Sequence, residues 1–290
     1  MRECSECGSS VEGELTEKPP PIPSFNLPVN LMNAEFNPLA SSLLFTRPLR
    51  LHTGSAWIEH TPFALLLVEL ARPRVIVELG THWGASYCTF CQAVAALKLP
   101  TRCYAVDTWT GDPHAGLYGH EVFDDLSAYH KKYESFSQLL RMTFDDALKQ
   151  VPDQSVDLLH IDGLHSYEAV KHDYESWLPK LSSRAIVLFH DTAVHERDFG
   201  VHQLWAELSP RFPHFHFEHG FGLGVLAVGP EVPAAAREFL TTANGYPAAT
   251  RALFSTLGYQ IKCEVDREAA AEDAKRPWLR RKLGQIIDKA

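Results

Sequence analysis

The chain has 290 residues, 45% of them hydrophobic and 22% charged, which is enough to bury one substantial core with a small appendage. Its formal net charge of -9 argues against a general nucleic-acid binder, which needs a basic face to displace counterions from phosphate. The opening MRECSECGSS lacks the apolar core of a secretory signal, and no run approaches the ~20 apolar residues of a membrane span, so a soluble cytoplasmic protein is expected.

In chain order, residues 1–30 carry Gly, Ser, Glu and the run Pro19, Pro20, Pro21, Ile22, Pro23, and they predict a disordered linker. Cys4 and Cys7 form a C-x-x-C without the second pair or nearby His that a tetrahedral zinc site needs, so they read as free thiols. A domain is expected over residues 31–230, followed by a helical extension over 231–290 that ends in a mixed basic segment, Lys275 to Lys282. Ile58 to Leu70 is densely apolar and predicts a buried helix before the first strand, closed by Pro73. Strand and helix then alternate: strand 75–79, helix 85–97, strand 103–107, helix 121–133, a short strand near 139–142 and strand 156–161. Helix 167–178, strand 185–189, helix 200–208 and two strands near 215–218 and 224–228 complete the series.

Repeated βα units of this length predict an α/β fold with a doubly wound, Rossmann-like sheet. The last two strands are joined only by residues 219–223, so they must pair antiparallel. On helix 167–178, Val170, Tyr174, Trp177 and Leu178 form the apolar stripe, which leaves Glu168 and Asp173 for surface or supporting positions. Cys88 and Cys91 follow the glycine turn among apolar neighbours and read as packing residues. Trp109 to Gly116 is too rich in Gly, Pro and polar groups for regular structure, and reads as a lid, an acceptor contact or a plain connection. His60, with Trp57, is a further candidate acceptor contact.

The chemistry gathers at strand ends. The run ending in Glu78 turns through Gly80 and Gly84 into a helix, and glycines there let backbone approach a ligand closely. Asp107 ends the next strand 23 residues after Gly84, near the ~20 expected for a carboxylate that grips ribose hydroxyls. The spacing is E-x-G-x-x-x-G rather than G-x-G-x-x-G, so adenosine joined to a non-phosphate group fits better than a dinucleotide; a structural turn without ligand is the other reading. Two later strands end in Asp162 and Asp191. Parallel to the first, they bring two carboxylates to one rim, where they repel unless protonated or bridged by a cation, Mg²⁺ first and Mn²⁺ next. His165, three residues past Asp162, is the candidate general base, and His190 is a softer candidate as an extra metal ligand.

VELGTHWGASYCTFCQAV, YAVDTWTGDPHAG, LLHIDGLHSYEAVKHDYESWLPKL, IVLFHDT, FGVHQLW and HGFGLGVLAVG together resemble the class I S-adenosylmethionine-dependent methyltransferases of the methyltransferase 24 group. That group includes metal-dependent sugar O-methyltransferases of macrolide pathways and cephalosporin hydroxylase-like proteins. The resemblance spans roughly Trp57 to Gly229 and implies a seven-strand sheet with an antiparallel last strand. It implies that Glu78, Gly80 and Gly84 face the methionine end of S-adenosylmethionine and Asp107 the ribose, with Thr81 and Ser86 also expected to bind the cofactor. Thr108, Trp109, Phe144 and Asp145 are implied at the adenine. Asp162 and Asp191 are implied as metal ligands and His165 as base, with His190 standing where some relatives carry a carboxylate.

The expected function is therefore an S-adenosylmethionine-dependent O-methyltransferase of a sugar or glycoconjugate hydroxyl, using a divalent metal and a histidine base. Its partners are a small-molecule or glycan acceptor, with no nucleic acid and no membrane span; a homo-oligomer stays open. The rival readings are a nicotinamide-dependent oxidoreductase on the same topology and a non-catalytic module that binds adenosylmethionine.

Overall fold

The structure, a computed structural model, describes residues 36–274 other than 115 and 197. The C-x-x-C, the proline-rich linker and the basic segment from Lys275 lie outside the described residues.

Among the described residues there are nine strands and eight α-helices, numbered in chain order. The strands are β1 (Val75–Leu79), β2 (Arg102–Asp107), β3 (Gly111–Asp112), β4 (Gly116–Leu117), β5 (Ser137–Arg141), β6 (Val156–Ile161), β7 (Leu181–His190), β8 (His214–Phe217) and β9 (Leu223–Ala227). The helices are α1 (Thr61–Ala71), α2 (Ala85–Ala96), α3 (His120–His130), α4 (Phe144–Ala147), α5 (Tyr167–Trp177), α6 (Val201–Leu208), α7 (Ala234–Gly245) and α8 (Pro247–Ala274). Seven strands make one sheet in the order β5-β2-β1-β6-β7-β9-β8, and β9 alone runs antiparallel to its neighbours.

That order follows from the sequence pattern. The near-continuous apolar runs of β1, β6 and β7 are buried on both faces, as parallel strands covered by crossover helices must be. On one face α1, α2 and α7 pack Phe63, Phe90 and Phe239 into a core that also takes Phe254 of α8. On the other, α5 and α6 bury Val170, Tyr174, Trp177, Leu204 and Trp205. The chain winds outward from β1 to β2 and β5, then returns to start β6 on β1's other side. The strand order therefore reverses between β1 and β6, the place where open α/β sheets leave a crevice beyond their carboxyl ends.

Three local details differ from the sequence reading. Residues 109–116 do contain regular structure, a two-residue ladder between β3 and β4, and Gly111 has to be glycine because a Cβ there would lie 2.1 Å from the Gly116 carbonyl oxygen. Leu178 leaves the apolar stripe and is 41% exposed, because α5 ends at Trp177 and a 3-10 turn through Pro179 swings it out. β7 begins at Leu181 rather than near Ala185, its first pairing to Val156 lying across a register shift. Among the described residues no helix is long and apolar enough to cross a membrane.

Candidate active site

β1 and β6 end side by side, and the backbone closes between them: the Asp162 N–H donates to the Leu79 carbonyl at 2.8 Å. Gly80 then turns with φ +86°, and a Cβ on it would sit 2.0 Å from the Asp162 carbonyl oxygen. Only glycine satisfies both the dihedral and the contact. Gly84, with φ +76°, precedes α2, and its missing Cβ leaves room for Leu126.

The Asp107 carboxylate organises the turn between these glycines. Its Oδ2 accepts from the backbone N–H groups of Thr81 and His82, both at 2.9 Å, and its Oδ1 accepts from Trp109 N–H at 2.7 Å. An ionised carboxylate has about four acceptor positions, so three are filled and capacity for one external hydroxyl is left.

A cavity of about 1060 Å³ opens over this turn. Gly80, Thr81, Gly84, Ser86, Asp107, Thr108 and Phe144 line it, and so do Asp162, His165, His190 and Asp191. The strands thus bring eleven of the expected site residues to one space. Three others lie elsewhere. Glu78 is fully buried behind the wall, with Oε2 accepting from His160 Nδ1 at 2.8 Å. Trp109 is 1% exposed because its φ of +51° turns the indole under the loop, where Nε1 donates to the His82 carbonyl and the ring meets Phe123 edge-on. Asp145 points to solvent and accepts from His172 at 2.9 Å. His60 is also fully buried, its Nε2 donating to the Gly220 carbonyl at 3.0 Å.

The acidic groups meet as a compact cluster with two imidazoles. Asp191 has φ +61°, a left-handed conformation that Asp tolerates better than most residues. Its Oδ2 lies 2.9 Å from His165 Nε2 and 3.1 Å from His190 Nδ1. Asp162 Oδ1 lies 3.2 Å from the same His190 nitrogen and 3.7 Å from His165 Nε2. Burial works against charge on every member, yet the pairing prevails. His165 is pushed up to about 9 by Asp162 and Asp191, and His190 well above its ordinary value by the same two acids. In return, His190 and His165 hold Asp191 down to about 2 and Asp162 well below the usual carboxylate range. The repulsion expected between the carboxylates is therefore relieved here by imidazole N–H donors.

Asp162, His165 and Asp191 each offer a ligand atom within 4.8 Å of the others, a spacing that a divalent cation can span. His190 stands outside that group, since its Nε2 is spent on the Gly220 carbonyl at 3.1 Å. Two partners of His165 were not among the expected site residues: its ring stacks on Phe199 at 4.7 Å and on His114 at 5.4 Å between centroids. His114 lies in the segment read as a lid, but nothing in the local pattern marks Phe199.

Residues 77–192 match a family described as a methyltransferase domain. A protein of Sinorhizobium fredii (strain NBRC 101917 / NGR234), y4gI, described as uncharacterized, is 56% identical to this chain over 178 residues; these make up 61% of this chain and 20% of that protein. Among solved structures, the chain is similar to the S-adenosylhomocysteine-bound methyltransferase PaMTH1 of Podospora anserina, at 15% identity and TM-score 0.44 over 58% of this chain and 76% of that one. It is also similar to the O-methyltransferase TomG of Streptomyces achromogenes, solved with S-adenosylmethionine, at 14% identity and TM-score 0.44 over 62% of this chain and 92% of that one.

Proposed function

We propose that this chain is an S-adenosylmethionine-dependent O-methyltransferase acting on a hydroxyl of a sugar or glycoconjugate, with a divalent cation and His165 assisting. The observation that carries this reading is the single cavity that joins the Gly80–Asp107 turn to the Asp162–His165–Asp191 cluster. A donor-binding turn and an acid–imidazole cluster with one shared space between them are what transfer to oxygen requires.

Bound S-adenosylmethionine supplies a methyl group on a sulfonium, already a good leaving group. The protein's remaining work is alignment, worth up to about 7–11 kcal/mol in favourable cases, and handling of the acceptor's proton. The glycine turn fits the donor because backbone can approach it without a side chain between, and Asp107 keeps one acceptor position for a ribose hydroxyl. A divalent cation also fits: Asp162 and Asp191 would hold it, and it would supply Lewis acidity toward the acceptor hydroxyl. His165 faces the same carboxylates and is the group positioned to accept the hydroxyl's proton. With its pKa at about 9 it already bears a proton at neutral pH, so this role requires the neighbouring negative charge to be neutralised.

The test is transfer of a labelled methyl from S-adenosylmethionine to a panel of nucleotide sugars and glycans, with and without chelator. Incorporation that falls on chelation supports the whole reading; incorporation indifferent to chelator removes the cation from it. No incorporation, together with binding of NADH in place of S-adenosylhomocysteine, would favour the oxidoreductase alternative.

A further inference from the structure

The loop joining β8 to β9 turns through three successive residues with left-handed backbone: Gly220 at φ +55°, Phe221 at φ +67° and Gly222 at φ +91°. The two glycines are required for space as well as dihedral, since a Cβ on Gly220 would lie 2.8 Å from His60 Nε2 and one on Gly222 2.5 Å from the Ala193 nitrogen. Between them stands a phenylalanine. A bulky side chain at positive φ is a strained outlier, and a third glycine would make the same turn without strain. Burial does not offset that strain: Phe221 is 59% exposed, while Phe215 and Phe217, on the strand that leads into the loop, are buried. Phe221 lines the cavity that holds the acid cluster, so its exposure is exposure to the site.

The loop is also anchored to that cluster. The Gly220 carbonyl accepts from His60 Nε2 at 3.0 Å and from His190 Nε2 at 3.1 Å, and the other ring nitrogen of His190 contacts both Asp162 and Asp191. The Phe221 carbonyl in turn accepts from the Ala193 N–H at 2.9 Å, two residues past Asp191. Phe221 is therefore fixed next to a carbonyl that the cluster's own imidazole holds.

We infer that Phe221 is the acceptor platform: its ring receives the apolar C–H face of the acceptor's sugar ring and so sets which pyranose hydroxyl reaches the acid cluster. This rests on the proposed methyl transfer to a sugar and names the residue that reads the acceptor. The face of an aromatic ring is negatively polarised and attracts the outward C–H groups of a pyranose, while the hydroxyls around the sugar's rim stay available to the carboxylates and imidazoles. A loop pinned by hydrogen bonds on both sides of the ring suits this task, because a platform already in place costs little ordering when the acceptor arrives.

Saturation-transfer NMR tests it on the full chain with S-adenosylhomocysteine present, using the methyl α-pyranosides of glucose, galactose, mannose and rhamnose. The probes are uncharged because Asp107, Asp112, Asp162, Asp191 and Glu196 line the cavity and oppose anions. At least one glycoside is expected to take up saturation from wild-type protein, most strongly at the C–H groups of one ring face. Phe221→Ala is expected to weaken that glycoside by about fivefold or more and Phe221→Trp to retain it, with S-adenosylhomocysteine affinity by calorimetry within about twofold of wild type in both. Phe221→Gly separates function from structure: it relieves the positive φ, so the melting temperature is expected at or above that of wild type while the glycoside is weakened as in Phe221→Ala. Glycoside binding unchanged in Phe221→Ala, or Phe221→Gly protein that melts lower and loses S-adenosylhomocysteine as well, overturns the platform. Wild type that binds S-adenosylhomocysteine but none of the glycosides also overturns it and leaves the donor site standing. Wild type that binds no S-adenosylhomocysteine overturns the methyltransferase reading, and the platform with it.

Discussion

Gly80 and Asp162 touch through their backbones: the position a Cβ would take on Gly80 is 2.0 Å from the Asp162 carbonyl oxygen. The glycine turn after β1 and the acid cluster are therefore joined through one backbone contact. Gly80→Ala forces the two strand ends apart and strains a φ of +86°. It is expected to cut methyl transfer by about a hundredfold, the scale of a displacement near 1 Å in an aligned site, and to lower the melting temperature. Steady-state rates and a thermal melt check it, and a variant with wild-type rates would show that the contact yields freely.

Asp191→Asn keeps a residue that accepts the left-handed backbone and removes the charge facing His165 and His190. Its turnover is expected to fall by about 10²-fold or more, with S-adenosylhomocysteine affinity within about twofold of wild type, because the loss falls on proton handling and not on donor binding. His165→Ala is expected to behave alike. Paired kinetics and calorimetry separate the two quantities.

If Asp162 and Asp191 hold a divalent cation, adding Mn²⁺ or Mg²⁺ raises the melting temperature by mass action, about 5 °C or more once the ion is near a hundred times its Kd. Asp162→Asn is expected to abolish that rise. A rise that persists in the variant would move the ion away from this cluster.

Asp173 gives a stability prediction independent of the chemistry. Burial pushes its carboxyl up to about 7, with Asp145 adding to the effect and His172 opposing it, and its Oδ2 lies 3.3 Å from where a Cβ on Gly163 would be. A carboxyl raised in the folded state contributes stability below its unfolded pKa of about 3.9 and loses it as pH rises toward the folded value. Asp173→Asn is therefore expected to raise the melting temperature at pH 8, with the gain vanishing near pH 4. Thermal melts of both proteins across that range check the sign, and an equal shift at every pH would contradict it.

What was legible in the chain was what depends on short-range pattern. β1, β2, β6 and the latter half of β7 announce themselves as apolar runs that lead into an acid or a glycine turn, and once they lie parallel, Asp107, Asp162 and Asp191 must emerge on one rim. What was not legible depends on which atoms meet across the fold. The first residues of β7, Leu-Ser-Ser-Arg, look like a loop because their pairing to β6 crosses an irregularity, and Ser182 bonds the buried Asp157. Trp109 sits in a polar segment, yet a positive φ turns it inward. The partners of His165 and His160 come from segments distant in sequence, Phe199 in one case and Trp57 with Glu78 in the other. The imidazole bridges between Asp162 and Asp191 likewise depended on side-chain placement that no spacing rule contains.

Calorimetric titration of S-adenosylhomocysteine into wild-type protein and Asp107→Ala bears most directly on the donor site. Removing this carboxylate strips the acceptor from three backbone N–H groups and, in the proposed complex, from the ribose at once. One-to-one binding by wild type and none by the variant is expected. Equal binding by both, or no binding by either, would contradict a methyl-donor site at the end of β1.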